Sequence, residues 1–370
     1  MQCVPWMKQR AWHRPALLGW LASLLLLPAV QAAPPKARPA ARGDDAPDVV
    51  TYGRRDDVLA FARQWAEQHG QDADWAGRQL AQARYQPSVA RLVMPPAAGT
   101  AKNWEAYRAR FVDAQRIREG QRWWQAHDAD LRRAEARWGV PAELVVAIIG
   151  VETYYGRITG NFKVIDALAT LAFDFPAGRS DRSGFYRDEL GAFLRWCAAE
   201  QRDPQSVKGS YAGAIGLPQF MPSSLLKYAV DFDGDGRIDL DRHGPDVVGS
   251  VANYFAQFGW EKGQPTHFNV NVPSDARERA ALLAPDILPT FSAQQMADRG
   301  AVLDPQGRAH TGPLALVELQ MGDKAPIYLA GTRNFYVVTR YNWSSYYAMA
   351  VIDLARSLRA LRPEAPAATL

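Results

Sequence analysis

At 370 residues, with 48% hydrophobic side chains, the chain is long enough for two or three small domains around a sizeable core, and its composition is that of a globular protein. Its net charge of +4 falls to +1 once Lys8, Arg10 and Arg14, the only charged residues among the first 32, are set aside. That near-neutral balance gives no support to nucleic-acid binding.

Residues 1–32 read as an export signal. A basic stretch, Lys8 to Arg14, precedes the apolar run Ala16 to Leu27, and small residues at Val30 and Ala32 allow cleavage near Ala32–Ala33. The apolar run is short for a membrane span, which needs about 20 residues, and an uncleaved anchor is the alternative reading. Cys3 leaves with the signal, so Cys197 is the single mature cysteine and no intramolecular disulfide is expected, which fits a periplasmic location. Cys197 sits in the helical run ELGAFLRWCAAE, where a buried structural thiol is expected.

Residues 33–48 are Pro- and Ala-rich and read as a disordered linker. The pattern is helical from 49 to 138. Val58, Leu59, Phe61, Ala62, Trp65 and Ala66 share one broad face, and NWEAYRARFVDAQRIREGQRWWQAHDADLRRAEARWG reads as a long helical stretch interrupted at Gly120. The chain turns at Gly139, and Pro141 opens the next helix.

That helix ends in VVAIIGVETYYG, which places one carboxylate, Glu152, in an otherwise apolar segment. The expected stop at Gly156 puts Glu152 in the last turn, at the negative end of the helix dipole. Burial and dipole both favour the protonated acid, the form needed for general acid catalysis at a glycosidic oxygen. The alternative reading is a salt-bridged helix residue. Near Glu152 the sequence offers only Asp166, Asp174 and Asp181 as a second carboxylate. Asp166 reads as a helix N-cap, and none is nominated as a partner.

Helices are expected again at 166–172, 183–201, 221–230 and 246–258. Between them, KGSYAGAIGLPQFMPSS carries Gly209, Gly213 and Gly216, which let backbone approach a bulky ligand, and reads as a groove wall or a structural loop. Then DFDGDGRIDLDRHGPD sets Asp231, Asp233 and Asp235 at positions 1, 3 and 5 of an EF-hand-type loop, with Gly236 at the sharp turn and the Arg237 carbonyl at position 7. Arg242 stands where the bidentate Glu belongs, so Asp239, Asp241 or Asp246 must close the shell around a structural Ca²⁺. After Trp260, HFNVNV, LALVELQM, PIYLAG and FYVVTRY are β-prone runs, and SSYYAMAVIDLARSLRAL is an amphipathic helix. The result is an α+β chain, mainly α. The six histidines contain no HExxH pair, and no G-x-S-x-G elbow or P-loop is present.

Together, GVPAELVVAIIGVETYYG, VIDALATLAFDFP, KGSYAGAIGLPQFMPSS, the Asp-rich loop, VGSVANYFAQFGW and RYNWSSYYAMAV resemble the family B lytic murein transglycosylases, in order from about Tyr107 to Val351. The resemblance implies a lysozyme-like helical core with an EF-hand-type Ca²⁺ loop at 139–262. A helical domain at 49–138, joined by the C-terminal helix 344–362, and a small β-containing domain at 263–343 would flank it. It implies cleavage of the β-1,4 bond between N-acetylmuramic acid and N-acetylglucosamine without added water, giving 1,6-anhydromuramic acid ends. Glu152 would act as acid and then as base. Tyr107, Ser210, Gln219, Phe220, Met221, Tyr254, Tyr341, Asn342 and Tyr347 would bind substrate, and Asp231, Asp233, Asp235, Arg237 and Asp246 would hold the metal. The distance in sequence from the loop to Asp246 departs from the family pattern.

The resemblance further implies one Ca²⁺ and no organic cofactor. The partners expected are peptidoglycan glycan strands and, as candidates, cell-wall synthesis or division proteins, bound by a monomer. The leader has no lipid-attachment cysteine, so a soluble periplasmic form is expected. The rival readings are a lysozyme-like hydrolase, which needs a second carboxylate, a non-catalytic peptidoglycan-binding scaffold, and a Ca²⁺ sensor, which would usually pair two loops where one is visible.

Overall fold

The computed structural model describes residues 51–95, 102–242 and 244–362. The export signal at 1–32 and the linker at 33–48 lie outside the described residues. Local signals set most helix boundaries. α1 (Asp56–His69) opens on paired aspartates and stops where Gly70 turns left-handed. The Asp72 carboxylate caps α2 (Ala73–Gln82), and proline starts α3 (Pro87–Leu92). α4 (Trp104–Arg108) and α5 (Ala114–Ala126) are separate helices, because the Asp113 carboxylate accepts the N–H groups of Gln115 and Arg116 and begins a new one. α6 (Asp128–Trp138) follows across His127. The interruption expected at Gly120 thus falls at 109–113 and at His127, and Gly120 lies inside α5.

α7 (Ala142–Thr153) is the axis of the molecule. Every residue from Leu144 to Val151 is buried, and α5, α6, α11 (Pro245–Gln257) and α16 (Ser345–Ala360) pack around it. The stop expected at Gly156 comes earlier, after Thr153. Tyr154, Tyr155 and Gly156 all take left-handed φ values of 51°, 58° and 84°. Thr153 causes this break: its side-chain oxygen accepts the Gly156 N–H at 3.1 Å. Left-handed backbone costs a non-glycine residue on the order of 1–3 kcal/mol. The turn buries the Tyr155 ring against α5 and α7, where glycine leaves room. A Cβ on Gly150 would sit 2.5 Å from the Tyr155 hydroxyl oxygen, and one on Gly120 would also meet it.

Beside this axis, β1 (Phe162–Lys163) pairs antiparallel with β2 (Lys208–Gly209), and α8 (Val164–Phe173), α9 (Ser183–Ala199) and α10 (Pro222–Tyr228) complete the helical core. The buried cluster runs without a break from Tyr52 to Leu358. The N-terminal helices therefore share one core with α7. Cys197 is buried, and burial pushes its thiol up to about 12, so it is chemically quiet.

A second, smaller core, built on Phe268, Leu282, Met296, Leu303, Leu314 and Leu316, lies under an antiparallel sheet ordered β4–β3–β6–β5. Its strands are β3 (His267–Asn271), β4 (Val302–Leu303), β5 (Ala315–Met321) and β6 (Lys324–Gly331). α12 (Ala276–Leu283), α13 (Ala293–Asp298) and α14 (Pro305–Ala309) join them. FYVVTRY, expected as a strand, is α15 (Arg333–Thr339). The Thr332 side chain accepts the Asn334 N–H to start the helix, and Phe335, Val337 and Val338 enter the main core. Packing outweighs β propensity in this short segment.

Gly150→Ala is expected to destabilise the fold by about 1–3 kcal/mol in urea unfolding, through overpacking against Tyr155. Part of that loss should return in Tyr155→Phe, which removes the buried hydroxyl. Equal losses in both backgrounds would show that the hydroxyl is not the obstacle.

Candidate active site

Glu152 is the penultimate residue of α7, half-buried at the end of an apolar helix. Tyr347, in the first turn of α16, donates its hydroxyl to Glu152 Oε1. The phenols of Tyr107, Tyr254 and Tyr341 lie close enough to feel the charge of Glu152. Burial is the first cause of the raised pKa of each of these three phenols, and the charge of Glu152 adds to it. Burial pushes Glu152 itself up to about 7, against the opposing pull of the Tyr347 hydrogen bond. Among the described residues the partner of Glu152 is a phenol rather than a cation, so the salt-bridged reading is not what the structure places here.

The tyrosines are fixed by backbone carbonyls. Tyr341 donates to the Pro218 oxygen at 2.7 Å, and Tyr254 to the Arg340 oxygen at 2.7 Å. Their rings lie 4.8 Å apart. Phe220 packs against both, at 5.5 Å and 5.9 Å, and is only 2% exposed. Phe220 therefore supports the tyrosines from the core rather than offering a face to the groove, a correction to the direct contact expected for it.

The other acids near Glu152 in sequence are engaged elsewhere. Asp166 is not the N-cap of α8, a position held by Lys163. It is buried and accepts the Arg84 N–H at 2.9 Å and Gln86 Nε2 at 3.1 Å. Asp174 pairs with Arg55 at 2.7 Å and accepts the Tyr52 hydroxyl at 2.7 Å. Asp181 accepts both the N–H and the hydroxyl of Ser183.

The glycine-rich segment forms the wall beside α7. Ser210 Oγ accepts the Ala214 N–H at 3.0 Å and closes a tight turn. Ile215 and Phe220 form a two-way backbone bridge around a second turn, in which Gln219 takes a φ of 52°. Gln219 Nε2 donates to the Thr159 and Gly216 carbonyls at 3.1 Å and 2.8 Å, tying this turn to the chain beyond α7. Met221, half-buried, leads into α10. Asn342 is half-buried, and its Oδ1 has no hydrogen-bond partner. Two surface hollows, one between α1 and α9 and one beside Cys197, are lined by none of these residues.

One functional residue went unread in the sequence. Thr153 is fully buried, and its hydroxyl donates to the Leu217 carbonyl at 3.1 Å. The Leu217 N–H in turn donates to the Leu240 carbonyl at 2.8 Å, at the end of the Asp-rich loop. A polar residue directly after Glu152 in an apolar helix was the available signal.

In that loop, carboxylate oxygens of Asp231, Asp233 and Asp246 lie within 4.8 Å of one another. Hard oxygen donors of this kind suit Ca²⁺ or Mg²⁺. Asp246 is 4% exposed and accepts the Phe232 N–H at 2.6 Å and the Asp239 N–H at 2.8 Å, which turns it towards the loop from the first turn of α11. Asp235, expected in the same set, stands outside this group, and its Oδ1 accepts the Arg237 N–H at 2.8 Å. Asp241 is drawn away by Arg202 at 3.2 Å.

Comparison with known proteins matches residues 53–356 to the transglycosylase SLT domain family model. The chain is 38% identical over 320 residues to membrane-bound lytic murein transglycosylase B of Escherichia coli (strain K12), covering 84% of this chain and 85% of that one. Among solved structures, soluble lytic transglycosylase SltB1 from Pseudomonas aeruginosa superposes with a TM-score of 0.74 at 40% identity, covering 82% of this chain and 99% of that one. Escherichia coli lytic transglycosylase Slt35 in complex with calcium gives a TM-score of 0.71 at 37% identity, covering 83% and 94%.

The raised pKa of Glu152 has a stability consequence. As pH rises from 4.5 to about 7, the unfolded chain releases the Glu152 proton before the folded one does. Wild-type stability relative to Glu152→Gln should therefore fall across that window, by up to about 3 kcal/mol, and then level off. Urea unfolding at pH 4 and pH 8 checks this; a difference independent of pH would contradict it.

Proposed function

The chain belongs to the transglycosylase SLT domain family, and from that membership we propose that it is a lytic murein transglycosylase in which Glu152 is both the acid and the base. Its substrate is the glycan strand of peptidoglycan, cut at the β-1,4 bond between N-acetylmuramic acid and N-acetylglucosamine. The protonated Glu152 carboxyl gives its proton to the glycosidic oxygen as the bond to C1 breaks. The resulting carboxylate takes the proton of the C6 hydroxyl of the muramic sugar, whose oxygen closes on C1. The products are an N-acetylglucosamine-ended fragment and a 1,6-anhydromuramic acid end, and no water is consumed.

A carboxyl titrating at about 7 can hold or release its proton near neutral pH, so one group serves both steps. The Tyr347 hydroxyl orients that carboxyl and stabilises its charged form between them. The observation that carries the reading is this half-buried acid, hydrogen-bonded to a phenol, on whose acidity no second carboxylate among the described residues acts. A hydrolase that activates water would need one. Tyr107, Ser210, Gln219, Met221, Tyr254, Tyr341 and Asn342 are assigned to the groove. Their phenols and amides suit sugar hydroxyls and acetamido groups.

A structural Ca²⁺ is assigned to Asp231, Asp233 and Asp246, with the Arg237 carbonyl as a further donor. The Slt35 calcium complex and the convergence of three carboxylates support it. When bound, the ion supplies the positive charge that lets these acids stay close together. The proposed location is the periplasm. The Escherichia coli relative is named as membrane-bound, and no helix among the described residues is long and apolar enough to cross a membrane.

Mass spectrometry of the soluble products released from purified peptidoglycan tests the reaction. Muropeptides with 1,6-anhydro ends from the wild type, and none from Glu152→Gln, are expected. Reducing ends one water heavier would make the protein a hydrolase. For the metal, Ca²⁺ should raise the wild-type melting temperature but not that of Asp231→Ala, since a ligand at 100 times its Kd stabilises by about 2.7 kcal/mol. An unchanged wild-type melting temperature would remove the ion.

A further inference from the structure

Trp343 lies in the 341–344 turn, between Asn342 and the Ser344 cap of α16. It is a large indole left 38% exposed. A single exposed aromatic is ordinary on a protein surface, but this one is held in place. The Arg340 guanidinium lies 3.5 Å from the centroid of its ring, covering one face. The same guanidinium lies 4.4 Å from the Tyr336 ring, which in turn meets Trp343 edge-on at 6.3 Å. Arg340 Nε and Nη2 are buried with no hydrogen-bond partner, and burial lowers its pKa. Burying guanidinium nitrogens without an acceptor is unfavourable. Stacking between two rings is what this arginine receives instead, and it fixes the indole from behind.

The position of Trp343 gives that rigidity a use. Its turn is pinned on both sides at the catalytic carboxyl. Tyr341 is bonded to the Pro218 carbonyl in the groove wall, and Tyr347 to Glu152. The turn is closed by the Ser344 N–H donating to the Asn342 carbonyl at 2.6 Å.

We propose that Trp343 is a stacking platform for a pyranose ring of the glycan strand, away from the bond cut at Glu152, with Arg340 bracing the indole from the covered face. The uncovered face takes the apolar C–H side of an N-acetylhexosamine. This inference rests on the glycan-cleaving reading of Glu152 and adds an affinity-determining residue outside the reacting centre.

The test uses full-length mature protein carrying Glu152→Gln, titrated calorimetrically with soluble glycan strands freed of their peptides by an amidase. Adding Trp343→Ala should weaken binding about tenfold, and Trp343→Phe should restore most of it. In otherwise wild-type enzyme, Trp343→Ala should raise KM for the same strands while kcat stays within about twofold, the pattern of lost uniform binding. Melting temperatures confirm that each variant is folded. Equal affinities for Trp343→Ala and its parent overturn the platform alone, as does a fall in kcat at constant KM. A Glu152→Gln parent that binds no glycan, beside a wild type that releases no product, overturns the reading of Glu152 and the platform together.

Discussion

The architecture turns on one unfavourable placement: a carboxyl at the end of a helix that is otherwise apolar and buried. α7 can carry Glu152 there only because the surrounding groups are phenols rather than ions. A cation beside it would hold the carboxyl ionised, and a second carboxylate would compete with it for a proton. Tyrosines do neither. They exclude water, which favours the neutral acid, while one hydroxyl, that of Tyr347, remains to stabilise the anion. The same environment therefore keeps both protonation states within reach near neutral pH.

Holding that environment requires three distant stretches of chain to meet at one point. The end of α7 is joined through Thr153 to the Leu217 carbonyl, and Leu217 is joined through its N–H to Leu240. Leu240 directly follows Asp239, whose N–H is held by the Asp246 carboxylate. Hydrogen bonds and the intervening backbone thus link the acidic loop to the residue beside Glu152. The strained turn of Tyr154 and Tyr155 belongs to the same arrangement. It stops α7 just after the carboxyl and folds an aromatic ring back against Gly120 and Gly150. The loop is thus in a position to stiffen the groove without touching substrate.

Much of this could be read from the sequence. The apolar run around Glu152, the Asp spacing at 231–235 and the glycine-rich wall are short-range patterns, and each carries its own chemistry. What could not be read depends on contacts far apart in the chain. The early stop of α7 is set by a Thr side chain and by room left at Gly120, neither of which has a periodic signature. FYVVTRY looks like a strand by composition, yet it becomes α15 because Thr332 caps it and the main core takes its apolar residues. Resemblance alone places Phe220 at the substrate, and only the packed structure shows it buried against Tyr254 and Tyr341. Among the acids, the sequence points to Asp231, Asp233 and Asp235 with Asp246 as a candidate to close the shell, and only the fold shows that the carboxylates of Asp231, Asp233 and Asp246 converge while Asp235 stands outside that group.

The proton affinity of Glu152 is the quantity on which everything else rests, and it can be measured directly. The side-chain carboxyl carbons of ¹³C-labelled protein are followed by NMR from pH 4 to pH 9, and the Glu152 resonance is assigned by its absence in Glu152→Gln. A titration midpoint at about 7, moving up when Tyr347 is replaced by Phe, is the expected result. A midpoint near 4.5, the ordinary value for this side chain, would mean that the tyrosine ring does not shield the carboxyl, and Glu152 could not serve as the acid.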